Sequence, residues 1–211
     1  ESFIIFNQTK VINARLLFKK STGATIEIFC LEPNTQYSDV QTAMQQTSKV
    51  QWKCLIGGAA KWKDESTLTL LQPIPNLTFT AKKLPSQDVH FYIEFEWDNT
   101  AFSFGEILQQ AGELPIPPYL NRKTEASDLV TYQTMFANDA GSVAAPTAAL
   151  HFTPTILHNL QEKQVQHHQI TLHVGAGTFK PVKEILRDKI LLSIQGIKNA
   201  TMNNIAKTIW I

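Results

Sequence analysis

The sequence has few cysteines, no long apolar run and no large excess of either charge. Two cysteines in 211 residues are too few for a disulfide framework. No stretch approaches the roughly 18 apolar residues that a membrane-spanning helix needs, so no span is expected. Nineteen Lys plus Arg against eighteen Asp plus Glu leave a net charge of +1. That balance argues against coating nucleic acid by bulk charge and still allows a local basic patch.

Several catalytic signatures are also missing. The sequence contains no GxSxG elbow, no Walker A loop and no CxxC pair, so the common hydrolase, nucleotide-hydrolysing and redox classes lose support. The chain opens Glu1-Ser2-Phe3, without the basic and apolar regions of a signal peptide, and a cytoplasmic protein is therefore expected. The first residue is not Met, which indicates that the natural N-terminus lies upstream.

The sequence does contain enough apolar material for a packed core. Hydrophobic residues make up 43% and charged residues 18%, a balance typical of globular proteins. At ~150 residues per domain, the length allows one domain with an insertion or two small domains. Cys30 and Cys54 fall at apolar positions of predicted strands, so we expect two buried, reduced thiols.

Residues 24–97 alternate apolar and polar side chains with a period of two, which is typical of strands with one buried and one wet face. Such short, regularly spaced strands predict a small barrel or sandwich. Glu32–Ser48 is predicted to be a long polar excursion between two of them. The predicted strands are Thr25–Cys30, Val50–Ile56, Thr67–Leu71, Leu77–Ala81 and Val89–Trp97.

After Asp98 the periodicity changes to that of helices alternating with a strand, which indicates an α/β domain. Ser103 and Glu106 match a capping box, and Thr153-Pro154 is a favourable helix start. The predicted elements are a helix from Ser103 that stops at Gly112 in the C′ position, a helix from Ser127 toward Ala137, a helix from Thr153 to near Lys163, and a strand over Gln169–Val174.

Three stretches are candidates for chemistry. Leu114–Tyr119 is proline-rich, and Gly141–Thr153 is a run of small residues that ends in an imidazole and hydroxyl groups. Thr171–Phe179 is predicted to deliver His173 and then a glycine loop, whose bare amides suit a nucleoside or a carboxylate. It is not a dinucleotide fingerprint, because Lys180 stands where the third glycine belongs.

The histidines do not form a recognisable metal motif. Their spacings match no known ligand pattern, and no cysteine lies near them in sequence, so we predict no metal site. The residues concerned are His151, His158, His167, His168 and His173.

Basic residues cluster near aromatic-rich strands. Two explanations are open. The residues either form the solvated rim of a barrel, or they contact RNA phosphates and position the RNA without reading its sequence. These residues are Lys10, Arg15, Lys19, Lys20, Lys61, Lys63, Lys82 and Lys83.

Four blocks together carry a family resemblance. They are Phe6–Leu16; Trp52–Gly57 with Lys61–Lys63; Leu114–Tyr119 with Arg122; and Tyr132–Thr134 continued through Gly141–Thr153 to Thr171–Val182. On these blocks, which cover most of residues 3–182, the chain resembles the S-adenosylmethionine:tRNA ribosyltransferase-isomerases, the QueA family of queuosine biosynthesis.

The resemblance implies a fold and a reaction. It implies a mixed α/β main (catalytic) domain at 1–11 and 98–211, incomplete here, with a small antiparallel β-barrel inserted at 12–97. The family transfers and isomerises the ribosyl moiety of S-adenosylmethionine onto 7-aminomethyl-7-deazaguanine at the tRNA wobble position. Epoxyqueuosine-tRNA forms, and adenine and methionine leave. S-adenosylmethionine is then a consumed substrate, no cofactor is needed, tRNA is the partner, and we expect a monomer.

The resemblance also implies site residues, although a purely structural role stays open for each. His151 and His173 are the candidates for proton transfer, and Asp128 is expected to orient one of them or to bind ribose. Arg122 is expected to hold the methionine carboxylate or a phosphate. Stacking is expected from Tyr119, Tyr132 and Phe152, donor binding from Gly175, Gly177 and Thr178, and further substrate contacts from Gln133, Thr134, Pro146 and Thr147. The three candidate stretches are expected to converge on one pocket.

The sequence departs from the family pattern at Gln8, Thr131 and Ala149, and above all beyond Val182, where the family's later motifs are absent. Lys183–Ile211 is predicted to be an amphipathic helix instead. The chain is then a fragment, has segments missing from its numbering, or is a degenerate copy. A non-catalytic RNA-binding or scaffold protein and a generic nucleoside-binding protein are the alternatives to the enzyme.

Overall fold

The computed structural model describes residues 3–62, 66–86, 90–179 and 208–210, with the backbone alone at 118, 178, 179 and 208–210. Its strands are β1 (Phe3–Asn7), β2 (Thr9–Val11), β3 (Arg15–Lys19), β4 (Thr25–Pro33), β5 (Lys49–Gly57), β6 (Leu68–Leu70), β7 (Phe79–Leu84), β8 (Phe91–Trp97), β9 (Asp139–Ser142), β10 (Gln166–Ile170) and β11 (Thr208–Trp210). Its α-helices are α1 (Val40–Met44), α2 (Phe104–Ala111), α3 (Asp128–Thr131) and α4 (Pro154–Glu162).

Strands β3 to β8 close into an antiparallel barrel in the order β3-β4-β5-β8-β7-β6, with β6 hydrogen-bonded back to β3. The alternation in sequence becomes an alternation in burial, since Ile26 and Ile28 are fully buried and Glu27 between them is half-buried. The predicted fold class, mixed α/β with a small antiparallel barrel, is therefore confirmed. The division into an insert at 12–97 and a main domain stays a prediction.

Cys30 and Cys54 are neighbours across the β4–β5 ladder, and both are free and fully buried. Burial raises the pKa of the Cys54 thiol, because a thiolate is costly to desolvate. The prediction of two buried, reduced core thiols is confirmed.

Parallel strand pairs make up the rest of the sheet structure. β1 lies between β10 and β11, and β2 pairs with β9. The residues Ile4, Ile5 and Phe6 of β1 are all buried, as is usual for a parallel strand covered on both faces. Among the described residues, none of the helices has both the length and the apolar character to span a bilayer.

The helix predictions are confirmed at α2 and α4. Ser103 Oγ accepts a hydrogen bond from Glu106 N and the Glu106 side chain accepts one from Ser103 N, which completes the capping box of α2. Thr153 Oγ1 accepts from Ile156 N at 3.3 Å at the start of α4, and Lys163 is the C-cap.

The predicted stop of α2 at Gly112 is confirmed, with Gly112 as the C-cap of the helix rather than the C′ residue. Its backbone is extended, with φ −86° and ψ 155°. A Cβ at this position would lie 2.0 Å from the carbonyl oxygen of Asn13. A close approach of two backbones therefore selects the glycine.

Three other elements differ from their predictions. The polar excursion contains the five-residue helix α1, capped by Asp39. The helix expected from Ser127 to Ala137 is only the four residues of α3. The strand expected over 169–174 begins earlier, as β10, and residues 171–174 have no ladder of their own. Four of the five residues of β10 are exposed, so the strand has no buried face. Its sequence therefore lacks the apolar alternation from which a strand could be predicted.

The amphipathic helix predicted over 183–211 lies mostly outside the described residues. At 208–210 the prediction is wrong, because these residues form β11 and pair in parallel with β1.

Candidate functional site

A network of polar side chains lies where β1 passes into β2, beside β9 and the segment after β10. Asn7 joins that segment to the sheet: its Oδ1 accepts hydrogen bonds from Leu172 N at 3.0 Å and from Thr9 N at 3.1 Å. Its Nδ2 donates to Leu172 O at 2.8 Å. One amide side chain thereby extends the backbone pairing of β1 beyond its last residue.

A carboxylate sits at the outer side of this network. Gln8 Nε2 donates to Asp139 Oδ2 at 2.9 Å and to Thr171 Oγ1 at 3.1 Å, and the Thr171 hydroxyl donates to the same carboxylate oxygen. These bonds, with the Thr171 hydroxyl first, outweigh partial burial and lower the pKa of Asp139. Asp139 is therefore an anion at neutral pH.

His173 lies at the centre of the network. Its Nδ1 is 2.9 Å from Thr9 Oγ1, which is 2.7 Å from Ser142 Oγ. Ser142 Oγ also accepts a hydrogen bond from Val174 N at 2.7 Å. Partial burial of the ring lowers the pKa of His173, and the charge of Asp139 opposes that shift only in part. The imidazole is therefore neutral at neutral pH.

Gly141 makes room for the imidazole. A Cβ at this position would lie 2.5 Å from Cε1 and 2.7 Å from Nδ1 of His173. Any side chain at residue 141 would displace the ring. Gly141, the first residue of the small-residue run, therefore allows a close approach of the backbone to a histidine.

Asp128 is placed elsewhere, in a bidentate pair with Arg122. Arg122 Nη1 and Nη2 each donate to one carboxylate oxygen at 2.7 Å, and Glu125 N donates to Oδ2 at 2.8 Å. The Arg122 bonds, followed by the Glu125 amide, lower the pKa of Asp128 to about 2. Its carboxylate accepts hydrogen bonds from Arg122 and from the Glu125 amide. The described contacts of Asp128 do not include a histidine.

We expect Asp128→Asn to lower the free energy of unfolding at neutral pH, and the difference from wild type to vanish in acid. The carboxyl titrates near 3.8 when unfolded and at about 2 when folded. Its contribution is therefore complete above the unfolded pKa and is lost as the pH falls through the folded value. Urea unfolding from neutral pH down to pH about 2 measures this, with Glu125→Gln as the control, because the exposed Glu125 binds Asp128 through its backbone. A difference that is independent of pH would contradict the assignment.

Tyr132, Gln133 and Thr134, all predicted to bind substrate, contact the protein itself. The two ends of the Gln133 amide bond to the backbone of Val11, with Oε1 accepting from N at 3.0 Å and Nε2 donating to O at 2.8 Å. Tyr132 is buried, and burial raises the pKa of its phenol. The buried Thr134 Oγ1 accepts a hydrogen bond from Phe136 N at 3.3 Å.

The predicted residues of the second half of the chain lie nearer the surface. Pro146 and Thr147 begin a 3-10 turn that ends at the exposed His151, and Phe152 packs edge-on against Phe6 at 4.9 Å.

The glycine loop is open on its outer side. A Cβ at Gly175 or Gly177 would meet no described residue within 4 Å, and Thr178 follows in a 3-10 turn. Tyr119 is 74% exposed. Among the described residues, no group of three or more His, Cys, Asp or Glu side chains is placed to hold a metal ion.

The three candidate stretches adjoin one another. Ala145 of the small-residue run packs with Leu114 and Ile116 of the proline-rich stretch. Two residues earlier, Val143 N donates to Val174 O at 3.0 Å, next to the glycine loop. The small-residue run therefore lies between the other two stretches.

A cavity of about 550 Å³ lies at the junction of β2 with α1 and α2. Of the predicted site residues, Gln133 lines it, and His151, His173 and the glycine loop do not. The pocket that the three stretches are expected to share is therefore not this cavity.

Several of the basic residues are engaged within the barrel. Arg15 pairs with Glu27 at 2.6 Å, and Lys20 Nζ donates to Lys61 O at 3.1 Å. Lys83 Nζ donates to Trp62 O at 2.7 Å. These contacts suit the structural explanation of a barrel rim, and they leave the RNA interpretation untested.

A family model described as queuosine biosynthesis protein matches residues 1–209 of the chain. The chain belongs to this family.

Three relatives in the family are each more than a third identical to the chain over the residues that align. The relative from Trichlorobacter lovleyi is 37% identical over 192 residues, which is 90% of this chain and 50% of the relative. A relative from Thermus thermophilus is 38% identical over 185 residues, which is 85% and 47%. The relative from Sulfurihydrogenibium sp. is 36% identical over 216 residues, which is 97% and 55%. All three are named S-adenosylmethionine:tRNA ribosyltransferase-isomerase, and the chain spans about half their length.

In this member of the queuosine biosynthesis family, sequence reasoning missed four residues of the His173 network: Asn7, Thr9, Asp139 and Ser142. Asn7 and Thr9 fall inside the first block that carries the resemblance, and Ser142 inside the last. Membership of those blocks was the available signal, and nothing local in the sequence distinguishes their side chains from ordinary strand-end polar groups.

Proposed function

We propose that the chain acts in transferring and isomerising the ribosyl moiety of S-adenosylmethionine onto 7-aminomethyl-7-deazaguanine at the wobble position of tRNA. Epoxyqueuosine-tRNA is the product, and adenine and methionine are released. The observation that carries the proposal is the family match over residues 1–209, which includes the whole His173 network. The names of the relatives support the same reaction.

The network offers chemistry that such a reaction needs. A base must remove an acidic proton adjacent to the sulfonium, and hydrogen-bond donors must help adenine to leave. His151 and His173 are the proposed groups for these steps. The anionic Asp139, which interacts electrostatically with His173, favours a cationic sulfonium nearby.

Substrate contacts are proposed where side chains or amides remain accessible. Tyr119 is largely exposed and suits stacking on a base, and the loop at Gly175 and Gly177 leaves its backbone open to a donor. Two hydrogen bonds to Asp128 orient the Arg122 guanidinium, and its remaining N–H groups suit a carboxylate or a phosphate. Gln133 is assigned to the fold, because both ends of its amide are occupied.

The proposal also includes the setting of the reaction. S-adenosylmethionine is consumed as a substrate and no cofactor takes part. The protein is a cytoplasmic monomer whose partner is a tRNA carrying the 7-deazaguanine precursor.

The test measures adenine released from labelled S-adenosylmethionine in the presence of precursor tRNA. We expect release by the wild-type chain and a loss of about 100- to 10,000-fold in His151→Ala, the range for removing an acid–base group. His158→Ala is the matched control, since His158 is exposed on α4 and its Nδ1 lies 3.7 Å from Glu162 Oε1, and we expect this variant to stay active.

Each other outcome has a definite meaning. Near-normal release by His151→Ala removes His151 from the mechanism. If the wild-type chain binds tRNA and releases no adenine, the catalytic proposal is wrong and a non-catalytic RNA-binding protein is favoured. Absence of salt-dependent tRNA affinity favours a nucleoside-binding protein instead.

A further inference from the structure

Two hydroxyl groups connect a backbone amide to His173 in an unbroken line. Val174 N is 2.7 Å from Ser142 Oγ, Ser142 Oγ is 2.7 Å from Thr9 Oγ1, and Thr9 Oγ1 is 2.9 Å from His173 Nδ1. Ser142 and Thr9 are completely buried. Solvent does not reach either hydroxyl, and among the described residues neither has a hydrogen-bond partner outside this line, so each places its hydrogen within the line itself.

The direction of the hydrogen bonds follows from the backbone amide at one end of the line, which can donate but cannot accept. A backbone N–H only donates, so Val174 N donates to Ser142 Oγ. Thr9 Oγ1 is the other described partner of Ser142 Oγ, so Ser142 donates to Thr9. Within the described part of the chain, the remaining acceptor for the Thr9 hydroxyl hydrogen is then His173 Nδ1, which must be unprotonated.

The reverse direction is unfavourable. If Nδ1 carried a hydrogen and donated it to Thr9, Thr9 would donate to Ser142. Ser142 Oγ would then accept two hydrogen bonds, and its own buried hydrogen would have no acceptor among the residues that the structure describes. An unmade buried hydrogen bond is costly, so the observed geometry selects one direction.

We propose that Thr9 and Ser142 are positioning residues that hold His173 in the neutral tautomer with its proton on Nε2. In the described part of the chain, Nε2 has no hydrogen-bond partner, and the residue is exposed. Its N–H is therefore available to a bound molecule. Gly141 leaves the space that the imidazole occupies when Nδ1 meets Thr9, since a Cβ there would lie 2.7 Å from Nδ1.

The role of His173 in the proposed reaction follows, and this step rests on the proposed function. A neutral imidazole whose exposed nitrogen already carries a proton cannot accept one there. It acts as a hydrogen-bond donor toward negative charge that develops in the transition state, such as that on the departing adenine. Removal of the proton next to the sulfonium then falls to another group, with His151 the remaining imidazole candidate.

Asp139 is the charged group that acts on His173 within the described residues, and it favours the imidazolium. Its carboxylate is already occupied, since Oδ2 accepts from Gln8 and Thr171 and Oδ1 accepts from Asn138 at 3.0 Å. It therefore does not replace Thr9 as the partner of Nδ1.

The test reads the tautomer directly by nitrogen NMR of the chain labelled with ¹⁵N-histidine. The chain has six histidines, and His173 is assigned as the signal missing in His173→Gln. At a pH where the ring is neutral, we expect the Nε2 resonance in the protonated range and the Nδ1 resonance far downfield. The opposite pattern, with the proton on Nδ1, would overturn the proposal.

Variants separate the hydrogen-bond line from the general fold. Thr9→Val keeps the shape and removes the hydroxyl, so we expect both tautomers to be populated and the two nitrogen shifts to converge. Thr9→Ser restores the hydroxyl and should restore the single tautomer. In Ser142→Ala, Thr9 becomes free to donate or accept, so we expect mixed tautomers and a higher titration midpoint for His173. A Thr9→Val variant with the wild-type tautomer would refute the role of Thr9 even if Ser142→Ala does not fold.

This measurement is independent of the enzyme assay. A chain that shows the expected tautomer and releases no adenine contradicts the proposed function and leaves the hydrogen-bond line intact. A chain that releases adenine while His173 carries its proton on Nδ1 supports the proposed function and contradicts the hydrogen-bond line.

Discussion

Gly112→Ala is expected to destabilise the protein by about 3 kcal/mol, the upper part of the range for overpacking a closed site. The added Cβ would lie 2.0 Å from Asn13 O and 2.5 Å from Leu108 O. Both neighbours are backbone atoms. Relief therefore requires movement of the end of α2 or of the chain entering β3, and a rotamer change alone cannot provide it.

The urea midpoint of unfolding measures this effect, with Gly175→Ala as the matched control. The substitution is the same, but a Cβ at Gly175 meets nothing within 4 Å in the described part of the chain, so we expect a change of no more than about 0.5 kcal/mol there. If Gly112→Ala unfolds at the same urea concentration as Gly175→Ala, the backbone of Asn13 does not lie as close to Gly112 as the structure places it.

Phe104→Ala is expected to cost about 4 kcal/mol, because it removes a fully buried ring from the end of the barrel. The Phe104 ring centroid lies 5.1 Å from that of Trp52 and 5.3 Å from that of Phe95. Phe104 is the first residue of α2, so its ring fastens this helix to the barrel. The loss should include the cavity left behind as well as the buried area.

Urea unfolding followed by tryptophan fluorescence measures this prediction, since Trp52 reports on the same contact. Phe104→Leu keeps most of the volume and should cost clearly less, whereas Tyr119→Ala, at a 74% exposed position, should be near neutral. Equal stabilities for Phe104→Ala and Tyr119→Ala would show that the ring does not fasten α2 to the barrel.

The local features of the fold were predictable because they depend on neighbours in sequence. Alternation along β4 and β5 specifies which side chains face inward in any closed antiparallel sheet, and the structure buries the expected ones. Ser103 with Glu106, and Thr153 with Pro154, start helices through contacts within a single turn.

Elements without a local signal were mispredicted. β10 carries His167 and His168 on an exposed strand, and it is a strand because β1 offers it a partner and not because of its own pattern. The helix after Ser127 stops at Thr131, and beyond it the Gln133 side chain bonds to the backbone of Val11. In both places a distant strand overrides local preference.

The sequence by itself therefore determined the barrel, the main helices, the buried thiols and the family. Only the tertiary structure decided which side chains form the candidate site. Thr9 and Ser142 are 133 residues apart, and Thr9 and His173 are 164 apart, yet each pair is within hydrogen-bond distance. Asp128, which the sequence analysis expected to orient a histidine or to bind ribose, is paired with Arg122 six residues away. Periodicity reports which face of an element is buried, whereas the partners of a polar group are set by which elements the chain brings together.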